Sequence, residues 1–439
     1  MKEKSLNAIR DAAVATFSEL QGVVTFSEEP YWEYKRGAAG EWQGMATSRP
    51  NIRDISRHRE LFDTYGGNIE GSLKEDYPEH LKGIGTSMSW GVLPPASILS
   101  QLAYSAYERF HSFELTKQQL DELLADVAKF FDRDTVRLKI CSPALNISGP
   151  VNVPPVIFPN GVTLRPISDE ELNDLYGGEN LFQFNVRSAP FTFPEFLFIK
   201  EIEVPKIIGN GPRVIEPNNF QEQAKKDLEL CMLILGTYKD ASAVGYDGIR
   251  IFPSEFTLGF AFGRSNIYPN EHTPYGRYTI SPEESMLISE HAVHFMDIHP
   301  TLEMASQRLI DGLRRTKSRD AIVDAIIGLE SILLAETGDE RYRGEMRFRF
   351  SLNYSTLFPK DEKENAFLTA RSLYDLRSTI AHGSDPGDKI KIAGNEMTLY
   401  EAAALSRALL RKTITFFLPQ ANKPEFMSER YWISKELGL

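Results

Sequence analysis

Arg377 and His382 are the residues of this chain whose types and spacing best suit chemistry. They bracket the run Arg377-Ser-Thr-Ile-Ala-His382. A guanidinium grips phosphate oxygens in a fixed planar fork. An imidazole takes up and releases protons near neutral pH. Together they suit a phosphodiester.

The helix that carries them sets their geometry. Periodicity predicts a helix over Asp361–His382, with Asp361 and Glu364 as an N-cap signal. Its apolar stripe runs Ala366, Ala370, Leu373, Ile380, with Phe367, Tyr374 and Ala381 beside it. Arg377 takes the step where the stripe calls for a hydrophobe. A buried, isolated cation is costly, so Arg377 requires an acidic partner or a phosphate. His382 ends the helix ahead of Gly383, a natural left-handed cap, and Pro386 prevents continuation. At about 100° per residue the two side chains point about 140° apart. One helix cannot easily aim both at one phosphate, whereas two copies facing each other across a two-fold axis can build a composite site. Asp375 and Ser378 share the flank of His382 and are expected to position it or a ribose.

A second helix is predicted over Ser318–Ala335, apolar nearly all round and therefore buried. Glu330 falls among Val323, Ile326, Ile327, Leu333 and Leu334, as a buried partner for Arg377; pattern alone leaves open that this pair is purely structural. A third helix, Asp339–Leu357, carries Arg341, Arg343, Arg347 and Arg349. Arg343 and Arg347 share a face and are candidate substrate contacts, or else a solvated flank paired with Glu340 and Glu345. Arg314, Arg315, Lys317 and Arg319 read as a solvated loop, with substrate contact as the lesser alternative. Helices over Thr301–Arg315 and Thr398–Leu418, the latter opened by a Thr398-x-x-Glu401 capping box, complete an antiparallel bundle over 300–420.

Upstream, residues 1–132 read as helical and irregular: helices over Leu6–Leu20, Ser97–Phe110 and Thr116–Phe131, and a mostly irregular stretch Glu28–Gly91 with short strands. Residues 133–299 read as a mixed, sheet-containing domain. Asn160-Gly161 marks a hairpin, Phe196–Val204 a strand and Gln221–Leu235 a helix. Residues 421–439 form a tail. The expected class is α+β, with a mixed α/β N-terminal region and an all-α C-terminal bundle.

At 439 residues and 42% hydrophobic content the chain can hold two or three cored domains. Cys141 and Cys231 make neither a disulfide framework nor a zinc spacing, which fits a reducing cytosol. The N-terminus lacks the apolar core of a signal peptide, and no apolar run approaches the roughly 20 residues of a membrane span. The expected location is cytoplasmic, without membrane contact. A net charge of −12 argues against indiscriminate binding to nucleic acid. However, residues 301–420 hold 18 Lys/Arg against 17 Asp/Glu, so the acidity lies upstream and the C-terminal third is the better place for such a site. His291, His294, Asp297 and His299 cluster, but not at the spacing of a helical zinc pair, and no metal or other cofactor is expected. No phosphate loop or nucleophile elbow is present.

Three runs resemble the Apea-like branch of the HEPN superfamily: Asp324-Ala-Ile-Ile-Gly-Leu-Glu-Ser-Ile-Leu-Leu334, Tyr342-Arg343, and Leu373-Tyr-Asp-Leu-Arg-Ser-Thr-Ile-Ala-His-Gly383. The family hallmark, an Arg followed after four to six residues by His, matches Arg377 and His382. Glu330 matches the acidic position of the supporting helix. Over about 300–420 the resemblance implies a helical bundle that forms a homodimer through its helices and cleaves RNA without a metal, with Arg377 and His382 catalytic, Glu330, Asp375 and Ser378 supporting, and Arg343 and Arg347 contacting RNA. It also implies a role in prokaryotic antiviral defence or a toxin system, with residues 1–299 sensing a trigger or regulator. Where the family usually has a strongly polar residue after the Arg, this chain has Ser378. The alternative is a catalytically silent HEPN protein that binds RNA or nucleotide, or serves as a dimerisation scaffold.

Overall fold

Helices and small, mostly antiparallel sheets share the chain, so the class is α+β. The computed structural model describes residues 1–36, 42–82, 84–85, 90–91, 94–176, 194–209, 219–241, 244–246, 248–258, 264–265, 277–335, 345–420 and 428–437. Two units emerge, each assembled from separated stretches. The first is Met1–Pro143, Ile167–Lys225 and Asp247–Ile267; the second is Ala144–Pro166, Lys226–Tyr246 and Tyr268–Leu439.

In the first unit, α1 (Glu3–Val23) buries Ile9, Ala12, Ala13, Thr16, Phe17 and Leu20, a helical repeat that faces one side. It packs with α2 (Arg59–Asp76), α4 (Pro95–Phe110) and α5 (Lys117–Asp132), while α3 (Pro78–Lys82) follows α2. Thr116 opens α5 with a capping box to Gln119. The stretch 28–91 is far more regular than expected. β1 (Glu28–Arg36) and β2 (Trp42–Pro50) pair antiparallel along their whole length. α2 buries Phe62, Gly66, Ile69 and Leu73 at helical spacing. Its glycines read as loop residues, yet Gly66 is a contact point: a Cβ there would stand 2.7 Å from the Ala96 backbone nitrogen.

β3 (Ile84–Gly85) pairs β4 (Trp90–Gly91) and β10 (Ile207–Ile208). β5 (Thr135–Leu145) pairs β12 (Ile249–Pro253), which also pairs β13 (Arg264–Ser265). With α6 (Asp169–Tyr176) and β9 (Phe196–Pro205), these elements close a core of Tyr34, Cys141, Ile167, Leu172, Leu175, Tyr176 and Leu197. Burial pushes the Cys141 thiol up to about 11, which leaves it unreactive near neutral pH.

In the second unit, β7 (Val156–Ile157) and β8 (Thr163–Pro166) form the expected hairpin around Gly161, whose φ is +81°. β6 (Ile147–Ser148) pairs β14 (Tyr278–Thr279) in parallel, and β11 (Gly245–Tyr246) pairs the last residues of β5. α7 (Asn219–Tyr238) enters this unit at Lys226. α8 (Pro282–Val293) follows β14 and begins with a Ser281–Glu284 capping box.

The helices expected after residue 300 are present: α9 (Pro300–Arg314), α10 (Ser318–Leu333), α11 (Met346–Ser355), α12 (Lys363–Ala381) and α13 (Leu399–Phe417). α9, α10 and α13 pack around Leu309, Ile322, Ile326, Leu329, Leu410 and Ile414. Gly328 permits that closeness, since a Cβ there would lie 2.7 Å from Leu410. Thr398 caps α13 as expected, accepting from the Glu401 N–H at 3.2 Å.

Three features depart from the sequence reading. Residues 300–420 are not wholly helical, because β15 (Lys389–Ile392) and β16 (Asn395–Thr398) form a hairpin over an Ala393–Gly394 turn. The N-cap of α12 is Glu362, not Asp361, and it makes no side-chain cap bond. Part of the expected tail is α14 (Glu429–Leu437), whose Trp432 is buried against Phe417.

Candidate functional site

Arg377 and Glu330 meet between α12 and α10. The Arg377 Nη2 to Glu330 Oε2 distance is 3.4 Å, at the long edge of a charged hydrogen bond. The expectation of deep burial is not met: the side chains are 29% and 20% exposed. Arg377 Nε is buried and has no hydrogen-bond partner among the described residues. Burial raises the Glu330 pKa and the Arg377 charge opposes that rise, so desolvation outweighs the pair's attraction. The Tyr374 hydroxyl is also shifted upward, first by burial and then by the Glu330 charge; its ring packs on Phe350 at 5.2 Å.

The reason for partial exposure lies in α10. Its buried face is Ala321, Ile322, Ala325, Ile326, Leu329, Ile332 and Leu333. Val323, Ile327, Glu330 and Leu334 make a second row at helical spacing, and this row is only partly covered. On α12, Ala366, Ala370, Leu373 and Leu376 are buried, but Ile380 is partly covered and Ala381 is exposed. Arg377 thus sits where both helices emerge from the core.

His382 is exposed at the C-cap of α12 and its ring makes no hydrogen bond among the described residues. The expected glycine stop is there. Gly383 has φ +78°, and the Ser384 N–H donates to the Thr379 carbonyl at 3.1 Å, closing a Schellman-type end. Beyond it, Arg319 at the start of α10 bonds Asp385 of the loop after α12 at 2.5 Å, an exposed ion pair. Arg315 likewise reaches Asp324 at 2.7 Å, beside Arg308 at 3.2 Å.

Asp375 pairs with Arg347 of α11 at 2.5 Å, both side chains 46% exposed. Arg347 therefore bonds across to α12, not within its own helix to Glu345. Ser378 is partly covered and its hydroxyl makes no hydrogen bond among the described residues. Arg341 and Arg343, and with them the beginning of the expected third helix, lie outside the described residues. One chain thus unites Arg377 with Glu330 and Tyr374, and Asp375 with Arg347. It leaves His382 on a flank of α12 turned away from Arg377 and shared with Asp375.

Two of the histidines at 291–299, His291 and His299, take structural places. His291 Nε2 and Thr237 Oγ1 are 2.9 Å apart, and the ring packs against Tyr238 and Phe295. His299 caps α9 by accepting from the Thr301 N–H at 3.3 Å. Among the described residues no group of three or more His, Cys, Asp or Glu could hold a metal ion, and no helix is long and apolar enough to cross a membrane. Sequence reasoning did not single out Phe348, which is 54% exposed on α11; an aromatic flanked by Arg347 and Arg349 was the available signal.

No family model, curated protein or solved structure matches the chain.

Proposed function

We propose that the chain is an endoribonuclease of the HEPN type that needs no metal and works as a homodimer through α10 and α12. A role in prokaryotic antiviral defence or as a toxin belongs to the same reading, with residues 1–299 answering to a trigger. The observation that carries the reading is the state of Arg377. It is only partly exposed, loosely held by Glu330, and its buried Nε has no hydrogen-bond partner among the described residues. A partly uncovered apolar row borders it. A second chain across that row would bring its own His382 within reach of the same cleft, which one chain cannot do.

In this mechanism a ribose 2′-oxygen attacks the adjacent phosphorus. The O2′–P bond forms and the P–O5′ bond breaks, leaving a 2′,3′-cyclic phosphate and a 5′-hydroxyl. His382 takes the 2′-hydroxyl proton, solvent supplies the proton that the leaving 5′-oxygen takes up, and Arg377 neutralises charge on the phosphorane. Glu330 keeps the guanidinium turned toward the cleft. Asp375 and Ser378 flank the path to His382.

The test is digestion of single-stranded RNA by purified protein. Both His382→Ala and Arg377→Ala should lose roughly 100-fold or more in rate. A DNA copy, lacking the 2′-hydroxyl, should remain intact. Full RNase activity in either variant would overturn the assignment, and cutting of the DNA copy would remove the 2′-oxygen mechanism.

A further inference from the structure

We infer that α11 and α12 carry a stacking platform for a base of single-stranded RNA, formed by Phe348 against Phe367, with Arg371 holding the phosphate that follows. The inference rests on the RNA-cleavage reading of Arg377 and His382, and names how that site would select and align its substrate.

Three observations carry it. Phe348 is 54% exposed and stands edge-on to Phe367, with ring centroids 5.8 Å apart and planes at 67°. That contact holds the Phe348 ring from one side and leaves more than half of its surface open. Arg371 is exposed and has no ion-pair partner among the described residues. Finally, the helix aligns all of this with His382. At about 100° per residue, Phe367, Arg371, Asp375, Ser378 and His382 fall within about 80° of one another around α12. They form one line along a single face. At about 1.5 Å per residue the line from Phe367 to His382 is about 22 Å long. That is room for at most about six nucleotides at 3.4 Å each.

The sequence of groups suits a single strand. Nucleic-acid channels without sequence preference combine cations that follow the backbone with aromatic rings on which bases stack. Here a ring platform comes first, a guanidinium without an ion-pair partner among the described residues one turn later, the Arg347–Asp375 pair two turns later, and the proposed proton-transfer group at the end. A protein-docking surface would instead concentrate apolar side chains at its centre and be depleted of charge there. Phe348 is flanked by Arg347 and Arg349 in sequence and faces the Arg371 side of α12.

The experiment measures the full chain against an RNA of about twelve nucleotides, long enough to cover the line. Binding is read by fluorescence anisotropy on a 2′-O-methyl version, which cannot be cut, and cleavage kinetics on the unmodified oligomer. Phe348→Ala should raise both Kd and KM by roughly tenfold, within the range for loss of one stacked base, and leave kcat nearly unchanged. Phe348→Tyr should restore binding because it keeps the ring. A dinucleotide substrate, too short to reach the platform, should be indifferent to either change. Because Phe348 is mostly exposed, the unfolding midpoint should not move.

Wild-type Kd and KM in Phe348→Ala would overturn the platform. So would unchanged RNA binding with altered self-association in sedimentation, which would make this face a contact between copies of the chain. If RNA cleavage depends on His382 while Phe348→Ala behaves as wild type, the platform alone falls. If the wild-type protein neither binds nor cuts RNA, the reading of the site falls with it.

Discussion

Acidification just below neutral pH should destabilise the second unit through one residue, His291. Its Nε2 lies 2.9 Å from Thr237 Oγ1. The Thr237 hydroxyl donates its hydrogen to the Ile234 carbonyl at 2.9 Å, so its oxygen must accept from the imidazole. His291 is therefore the Nε2–H tautomer, half-buried between Tyr238 and Phe295. Burial first, and the neighbouring His294 second, lower its pKa to about 4. The unfolded chain titrates near 6.5. Above that value neither state carries the proton and the neutral ring contributes its full stability. Below it the unfolded state takes up a proton that the folded state refuses, so stability falls until the pH reaches about 4.

The loss works out to about 2 kcal/mol between pH 7 and 5, and about 3 kcal/mol by pH 4. Chemical denaturation at several pH values measures it. His291→Gln retains a donor for Thr237 and carries no charge, so its stability should decline less over the same window by about that 2 kcal/mol. The capped carboxylates Glu283, Glu284 and Glu401 have lowered pKa values, and their stabilisation is lost only below their unfolded range. Glu330, whose pKa burial raises, acts in the opposite sense and is common to both proteins, so the difference between them isolates His291. Parallel decline of wild type and His291→Gln from pH 7 to 5 would refute the reasoning, as would an imidazole proton resonance of His291 that titrates near 6.5 in the folded protein.

Gly66→Ala should destabilise the first unit by about 1–3 kcal/mol, because the new methyl meets the Ala96 backbone and not a movable side chain; an unchanged thermal midpoint would contradict the close approach of α2 and α4. Thr398→Ala should cost about 1 kcal/mol by removing the cap on the Glu401 N–H, read as a lower denaturant midpoint.

Much of the second unit could be read directly from residue spacing. α9, α10, α12 and α13 begin and end within about two residues of the sequence expectation, because long amphipathic repeats and the Thr398 and Gly383 end signals agree with the final packing. The hairpin at 389–398 was missed for an identifiable reason. Its two-residue turn has φ +47° at Ala393 and +85° at Gly394, a left-handed pair usually signalled by Asn-Gly or Asp-Gly. Alanine in the first place hides it. The helix α2 was hidden in the opposite way, by glycines that serve interhelix contact.

At the candidate site, sequence pattern foretold the Arg377–Glu330 partnership but not its looseness. Periodicity ranks residues by face, and it cannot say that the row of Val323, Ile327, Glu330 and Leu334 is only partly covered. Asp375 was expected to position His382 or a ribose, and nothing in the sequence signalled that it would also bond Arg347. An ion pair between separate helices depends on how they pack, which no spacing within one helix records.

The interleaving of the two units has a consequence for how the protein is made. When Pro143 leaves the ribosome, the first unit still awaits its last stretch, which ends at Ile267, 124 residues later (267 − 143). At roughly 5–20 residues per second that is a wait of about 6–25 s, for most of which β5 has no β12 to pair with. The second unit waits longer, since α13 must arrive before the Arg411 Nε can donate to the Gly236 carbonyl at 2.9 Å. A fragment begun at residue 300 would carry every helix of the proposed catalytic bundle but not that carbonyl, nor the glycine that faces Ile310. Translation order therefore places the bundle after both upstream regions, and the candidate site can be completed only once they have been produced.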